Sequence, residues 1–259
     1  FKGCELKNLK RFLMLPNLVS LDVSDNEILD INDLSKFNDL KELSLANNSI
    51  QDLTPIKNLK GDIKLNISGI KLEGDILRLL SMMQFEELYV ANCDLSSLGF
   101  LEGHTEIKRL DISNNSISDI DILKMYRKEL TYLNIAWNPI YDLSPLVEWA
   151  PSILLHDKKN QDFPGVEFDM SGIQLEKIEE DKGIHIIEET IFRKLTARNC
   201  GLKDVDLVKY QLEIEYLDIS NNPIESISGA DGQRFLKEIV AKNTLIDGDK
   251  IITLKTLSP

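Results

Sequence analysis

Three cysteines (Cys4, Cys93, Cys200) and three histidines (His104, His156, His185) are the residues of this 259-residue chain most able to hold a metal or attack a substrate. No histidine has a cysteine or second histidine near it at ligand spacing, so neither a zinc site nor a Cys-His pair is read. The stretch "HDKKNQD" brings His156 close in sequence to Asp157 and Asp162, but a solvated loop accounts for it better than a metal site. "DVSDNEILDIND" is rich in carboxylates, yet it lacks the glycine and terminal bidentate Glu of a calcium loop. No phosphate-cradling or dinucleotide glycine motif is present, and no G-x-S-x-G elbow. The expectation is a chain that is not an enzyme, with no cofactor and no metal.

What, then, are these residues for? The formal charge of -13 opposes a nucleic-acid or anionic membrane partner and leaves proteins open. No apolar run approaches the ~20 residues of a membrane span. Hydrophobic residues make up 42% of the chain, enough to bury a core.

An internal period supplies the scaffold. The phrase L-x-L-x-x-N-x-I occurs as "LDVSDNEI", "LSLANNSI", "IKLNISGI", "LYVANCDL", "LDISNNSI", "LNIAWNPI", "VEFDMSGI", "LTARNCGL", "LDISNNPI" and "IVAKNTLI". The first begins at Leu21 and the last at Ile239, with starts separated by 22, 20, 25, 22, 23, 33, 29, 22 and 22 residues. Apolar residues at i and i+2 predict a strand buried on one face, because side chains alternate across the pleat. Asn then suits the turn that ends the strand, and the next Ile or Leu returns to the core. Short phrases such as "SDIDIL" and "YDLSPL" leave room for one tight helical turn, so the opposite side reads as 3₁₀ or irregular.

These ten in-phase phrases closely resemble the leucine-rich repeat family, in the roughly 22-residue subclass of phosphatase regulators and bacterial internalins. The resemblance implies an α/β solenoid: a horseshoe with a parallel concave β-sheet and a convex side of 3₁₀ and short helices. It also implies protein binding on the concave face. The chain reads as one such domain over 1–259, of ten to eleven coils. Two roles compete with a scaffold or adaptor: an internalin-like surface or secreted protein that binds a host protein, and a targeting segment of a larger enzyme.

A longer period is superposed. At the Asn position the coils read Asn26, Asn48, Ser68, Cys93, Asn115, Asn138, Ser171, Cys200, Asn222 and Thr244, a four-coil order that pairs 67–165 with 170–259. One coil earlier the order demands a cysteine near residue 4, and Cys4 is there. On this register the chain starts within a strand, and an N-terminal extension is expected because terminal coils need a polar cap. Cysteines four coils apart lie ~19 Å apart by strand spacing, too far for a disulfide. Free thiols are expected, and they favour a reducing, intracellular location. The sequons at Asn47, Asn66 and Asn114 fall on or beside the strands and are read as unused.

The wider spacings predict a convex helix carrying Ile76, Leu79, Leu80 and Met83, a helix after Gly183, and a loop between Pro151 and Gly165. On the open sheet face, the column between the inward leucines reads Asp22, Ser44, Lys64, Tyr89, Asp111, Asn134, Glu167, Thr196, Asp218 and Val240. The column before it includes Glu42, Asp62, Arg109, Tyr132, Gly165 and Tyr216. An acidic stripe of Asp22, Glu42 and Asp62 at one end faces Lys194, Arg198 and Lys242 at the other. Tyr, Trp and Arg are the residue types most used as binding anchors. The expected partner-binding set is therefore Tyr89, Arg109, Asp111, Tyr132, Asn134, Trp137 and Tyr216, with a protein as partner.

Overall fold

The computed structural model describes residues 1–15, 17–104, 106–126, 129–146, 149, 166–178, 190–209, 211 and 213–246. The expected loop around His156 lies outside the described residues, as does the expected helix after Gly183 as far as residue 189; its last part is not helical, because Phe192–Thr196 pairs as a parallel strand with Phe192 and Leu195 buried. The chain divides into two compact units, Phe1–Ile117 and Ser118–Pro259, a boundary that does not follow the four-coil period.

In the first unit, β1 (Ser20–Asp22), β2 (Glu42–Ser44), β3 (Ile63–Asn66), β4 (Phe85–Tyr89) and β5 (Arg109–Asp111) pair in parallel, in chain order. In the second, β6 (Tyr132–Asn134), β7 (Val166–Asp169), β8 (Phe192–Thr196), β9 (Tyr216–Asp218) and β10 (Glu238–Val240) do the same. The alternation read from the sequence sets the faces: Leu21 and Val23, Leu88 and Val90, Leu133 and Ile135, Leu217 and Ile219 are all buried. Strands are joined through short 3₁₀ turns such as Asn32–Lys36, Thr54–Asn58 and Asp121–Met125. The aspartates of the "LDI", "QDL" and "SDI" phrases start these turns: Asp30, Asp52 and Asp119 each accept the N–H two residues on at 2.8 Å. The expected helix after Gly74 is α1 (Asp75–Leu80), on which Leu80 is fully buried and Ile76 and Leu79 are partly so; it ends before Met83, which lies in the turn that follows.

Two coils sit two residues out of the expected frame. Leu43 pairs with Leu65 rather than Ile63, and Leu133 with Phe168 rather than Val166. The reason is that "IKLNISGI" and "VEFDMSGI" each offer three alternating apolar residues, and the turn chooses among them. Each described coil has a left-handed residue at the same place in its turn: Asp25, Asn47, Asn92, Asn114, Trp137, Asn199, Asn221 and Asn243, and in these two coils Gly69 and Gly172. Glycine takes that conformation without a Cβ clash, so it claims the place. The residue after it, at the Asn position, is therefore Ile70 or Ile173, not Ser68 or Ser171. The columns move with the frame: Lys64 and Glu167 replace Asp62 and Gly165, and Asn66 and Asp169 replace Lys64 and Glu167. The acidic stripe is thus interrupted by Lys64, which pairs with Glu42 at 3.6 Å and with Glu87 at 3.1 Å.

The corrected register explains the four-coil order. Asn115 Oδ1 accepts the Cys93 and Leu95 N–H groups of the preceding coil, at 2.9 and 3.0 Å, while its Nδ2 donates to Val90, Ile112 and Ser113 carbonyls. Asn222 treats Cys200 and Leu202 in the same way. Coils that end in Gly-Ile need no such acceptor. The N–H groups of Gly69, Ile70 and Leu72 are taken by the Ala91, Ile67 and Cys93 carbonyls, and those of Gly172, Ile173 and Leu175 by the Arg198, Met170 and Cys200 carbonyls. The next coil can then carry cysteine, whose thiol only donates: Cys93 Sγ to Ile67 and Ala91, Cys200 Sγ to Met170 and Arg198.

Candidate functional site

The cysteines divide by environment. Burial pushes the Cys93 thiol up to about 11 and the Cys200 thiol up to about 12, so both stay protonated and inert at neutral pH. Cys4 is exposed. A native-state thiol assay at pH 8 should therefore label Cys4 rapidly and leave Cys93 and Cys200 untouched until the chain is unfolded; fast labelling of a second thiol would contradict this packing. His104 is a core residue. Its ring stacks on Phe85 at 5.3 Å, and its nitrogens face the Leu101 and Leu80 carbonyls at 3.0 and 3.2 Å. Among the described residues no group of three or more His, Cys, Asp or Glu could hold a metal, and no helix is long and apolar enough to cross a membrane.

The open sheet face of the first unit carries a connected polar network. Tyr89 donates to Glu87 Oε2 at 2.7 Å, Arg109 Nε donates to the Tyr89 hydroxyl at 3.2 Å, and Glu87 holds Lys64. Burial and the neighbouring Glu87 carboxylate raise the Tyr89 phenol above its ordinary value, so it remains a donor. Beside it lies a shallow depression of about 360 Å³ lined by Asp22, Glu42, Ser44, Lys64, Asn66, Glu87 and Tyr89, among others. Asp111, expected to contact a partner, gives Oδ1 to the N–H and hydroxyl of Ser113 at 2.9 and 2.6 Å. Such a turn fixes the end of the strand. Of the expected set, then, Tyr89, Arg109 and Asp111 stand together on β4 and β5.

In the second unit, Tyr132, Asn134 and Trp137 share one coil, and Asn134 Oδ1 accepts the Ala136 N–H at 3.1 Å. Tyr216 stands apart from them on β9. Trp137 is 49% exposed and has a φ of 58°. A Cβ on Gly172 of the next coil would lie only 2.5 to 2.9 Å from three atoms of the Trp137 ring, so the indole packs directly against that glycine. Asn47 and Gly69 make the matching close approach in the first unit. The four-coil order thus repeats an Asn-over-Gly contact as Trp over Gly.

Around Tyr216 the structure adds a feature that the sequence left unread. Arg198 Nε donates to Asp218 Oδ2 at 2.6 Å, the Tyr216 hydroxyl reaches the same oxygen at 3.4 Å, and Asp218 Oδ1 accepts the Ser220 N–H at 3.0 Å. Asp218 has no exposed surface. Burial pushes its pKa up, but the Arg198 and Ser220 hydrogen bonds outweigh that and hold the carboxyl below its ordinary value. Sequence spacing placed Arg198 only within a loose cationic group; its partner lies on the following coil, at a distance in sequence that periodicity does not resolve.

Comparison with known proteins fits this architecture. A family profile described as "Leucine Rich repeats (2 copies)" matches residues 16–58. The rat volume-regulated anion channel subunit LRRC8D is 26% identical over 151 residues; the match covers 55% of this chain, which spans 17% of that protein's length. Among solved structures, an internalin (InlF) from Listeria monocytogenes superposes with a TM-score of 0.65 at 22% identity, covering 95% of this chain and 67% of the other. A leucine-rich repeat protein from Leptospira interrogans superposes at 0.51 and 16% identity, covering 98% and 74%. With parallel strands in each unit, a left-handed turn residue in each described coil and short 3₁₀ segments between strands, this chain has the fold of the leucine-rich repeat solenoids, and residues 16–58 match the repeat profile itself.

Proposed function

We propose that this chain is a non-catalytic protein-interaction module, a scaffold or adaptor that grips a protein partner on the concave face of its sheet. Trp137 is the observation that carries the reading. A bulky residue in the left-handed region costs about 1 to 3 kcal/mol, and such residues are kept where function requires them. The other described coils use Asn, Asp or Gly at that place. Here the fold seats a half-exposed indole on a glycine, which limits the freedom lost when a partner covers it. Tyr89 with Arg109 in one unit, and Tyr132 and Tyr216 in the other, supply further residues of the anchoring type. Asp111 and Asn134 serve the reading as side chains that hold the strand ends.

A photo-crosslinking residue at Tyr132 should give a discrete adduct with a partner protein, and the same residue at Met125, 58% exposed on a 3₁₀ turn, should give none. Trp137→Asn should abolish the Tyr132 adduct while leaving the circular dichroism unchanged. Equal labelling from both positions would sink the reading.

A further inference from the structure

The residue two places before each Asn position is small. It is Ser or Ala from Ser24 through Ser171 and again at Ser220. In this place the Oγ of Ser171 accepts the Arg198 N–H and that of Ser220 the Lys242 N–H, so the column ties one coil to the next. Among the described residues three break the rule, and all are cations: Lys2 on the coil of Cys4, which is paired with Asp25 at 3.1 Å, and Arg198 and Lys242, on the coils either side of Ser220. In a chain with 43 acidic and 30 basic residues, two such substitutions flanking one small residue make a distinct local chemistry.

Their geometry suits an anion. Arg198 is 50% exposed and bonded to Asp218 along one edge. A guanidinium has five donors, so donors remain for a ligand. Asp218 is fully buried, and its charge is spent inside the protein on Arg198, Tyr216 and Ser220. This pairing holds the guanidinium in one place before any ligand arrives. Lys242 is exposed. The two cations are separated by two strand spacings, ~10 Å. Of the carboxylates on these coils, Asp218 offsets Arg198 from the buried side only, Asp169 Oδ1 accepts the Ser171 N–H at 2.9 Å, Glu167 is paired with Lys194 at 3.4 Å, and Glu238 lies at the other end of β10, four residues from Lys242.

We infer that this edge of the second unit docks an acidic peptide segment, one carboxylate on the outer edge of Arg198 and a second, two or three residues along an extended chain, on Lys242. The inference rests on the protein-partner reading and gives that partner a charge. Charge complementarity of this kind selects and orients partners more than it adds affinity.

Hexaglutamate, titrated into the whole chain at low ionic strength with calorimetric and chemical-shift detection, is the probe. It should bind and shift the Arg198 to Asn199 and Lys242 to Asn243 amides, and added salt should weaken it. Lys242→Glu should weaken it roughly fivefold. Arg198→Gln combined with Asp218→Asn, which leaves no buried carboxylate unpaired, should remove the Arg198 contact, and all three changes together should abolish binding. Lys57→Glu, an equal change of net charge on a 3₁₀ turn of the first unit, should have no effect. The inference is overturned if Lys57→Glu costs as much as Lys242→Glu, if the triple variant still binds, or if a short single-stranded DNA competes at equal affinity. Should hexaglutamate behave as expected while the Tyr132 adduct is missing, the protein-partner reading fails and the anion-binding edge stands. Should the adduct form while hexaglutamate does not bind, only the acidic character of the partner falls.

Discussion

Trp149→Ala should destabilise the second unit by about 3 to 5 kcal/mol, the range for emptying a buried tryptophan site. Trp149 is 1% exposed, packs edge-on against Phe168 at 5.4 Å and Phe192 at 6.2 Å, and donates Nε1–H to the Leu130 carbonyl at 2.9 Å. Phe168 and Phe192 stack on each other at 5.7 Å, so the three rings form one cluster beneath β7 and β8. Two losses add in the alanine variant: the cavity, and a buried carbonyl without its donor. Trp149→Phe should recover most of the packing and keep only the second loss, about 1 kcal/mol. Urea unfolding followed by circular dichroism measures both, and a midpoint for the alanine variant within experimental scatter of wild type would mean that the cluster does not hold the unit together.

The second large effect belongs to the asparagine ladder. Asn222→Ala should cost about 3 to 5 kcal/mol, because the Cys200 and Leu202 N–H groups both lose their acceptor in the interior and each unsatisfied group costs about 1 to 3 kcal/mol. Asn222 Nδ2 also holds the Ala197 and Ile219 carbonyls at 2.7 and 2.8 Å. Cys200→Ala offers the contrast. The coil before it has its turn N–H groups satisfied by main-chain carbonyls, so the thiol supplies only weak donation and packing, and the loss should be about 1 kcal/mol. Equal losses in the two variants would refute the division of labour between Asn and Cys along the ladder.

These two cases show what the sequence could and could not convey. The strand positions and inward leucines were legible because a period of two within a period of about 22 leaves few alternatives. The four-coil order was legible too, and it located all three cysteines. The frame of the Gly-Ile coils was not, since three alternating apolar residues satisfy the strand pattern equally well and only the demand for a left-handed turn residue decides. That demand was readable in principle from Gly69 and Gly172. The coordination of Asn222, the pairing of Arg198 with Asp218, and the seat of Trp137 on Gly172 depend on which side chains face each other across neighbouring coils. Periodicity fixes the coil but not the reach of the side chain. Asp111 and Asn134 show the converse: residues that a column diagram presents as open are engaged in closing their own turns.

The chain contains two tryptophans, and the fold has placed them in opposite surroundings. Trp149 sits in a dry aromatic cluster, while Trp137 lies half in water at the turn edge. Spectroscopically the protein is thus supplied with two separate reporters. The emission of one records whether the interior of the second unit is intact, and that of the other whether the turn edge is covered.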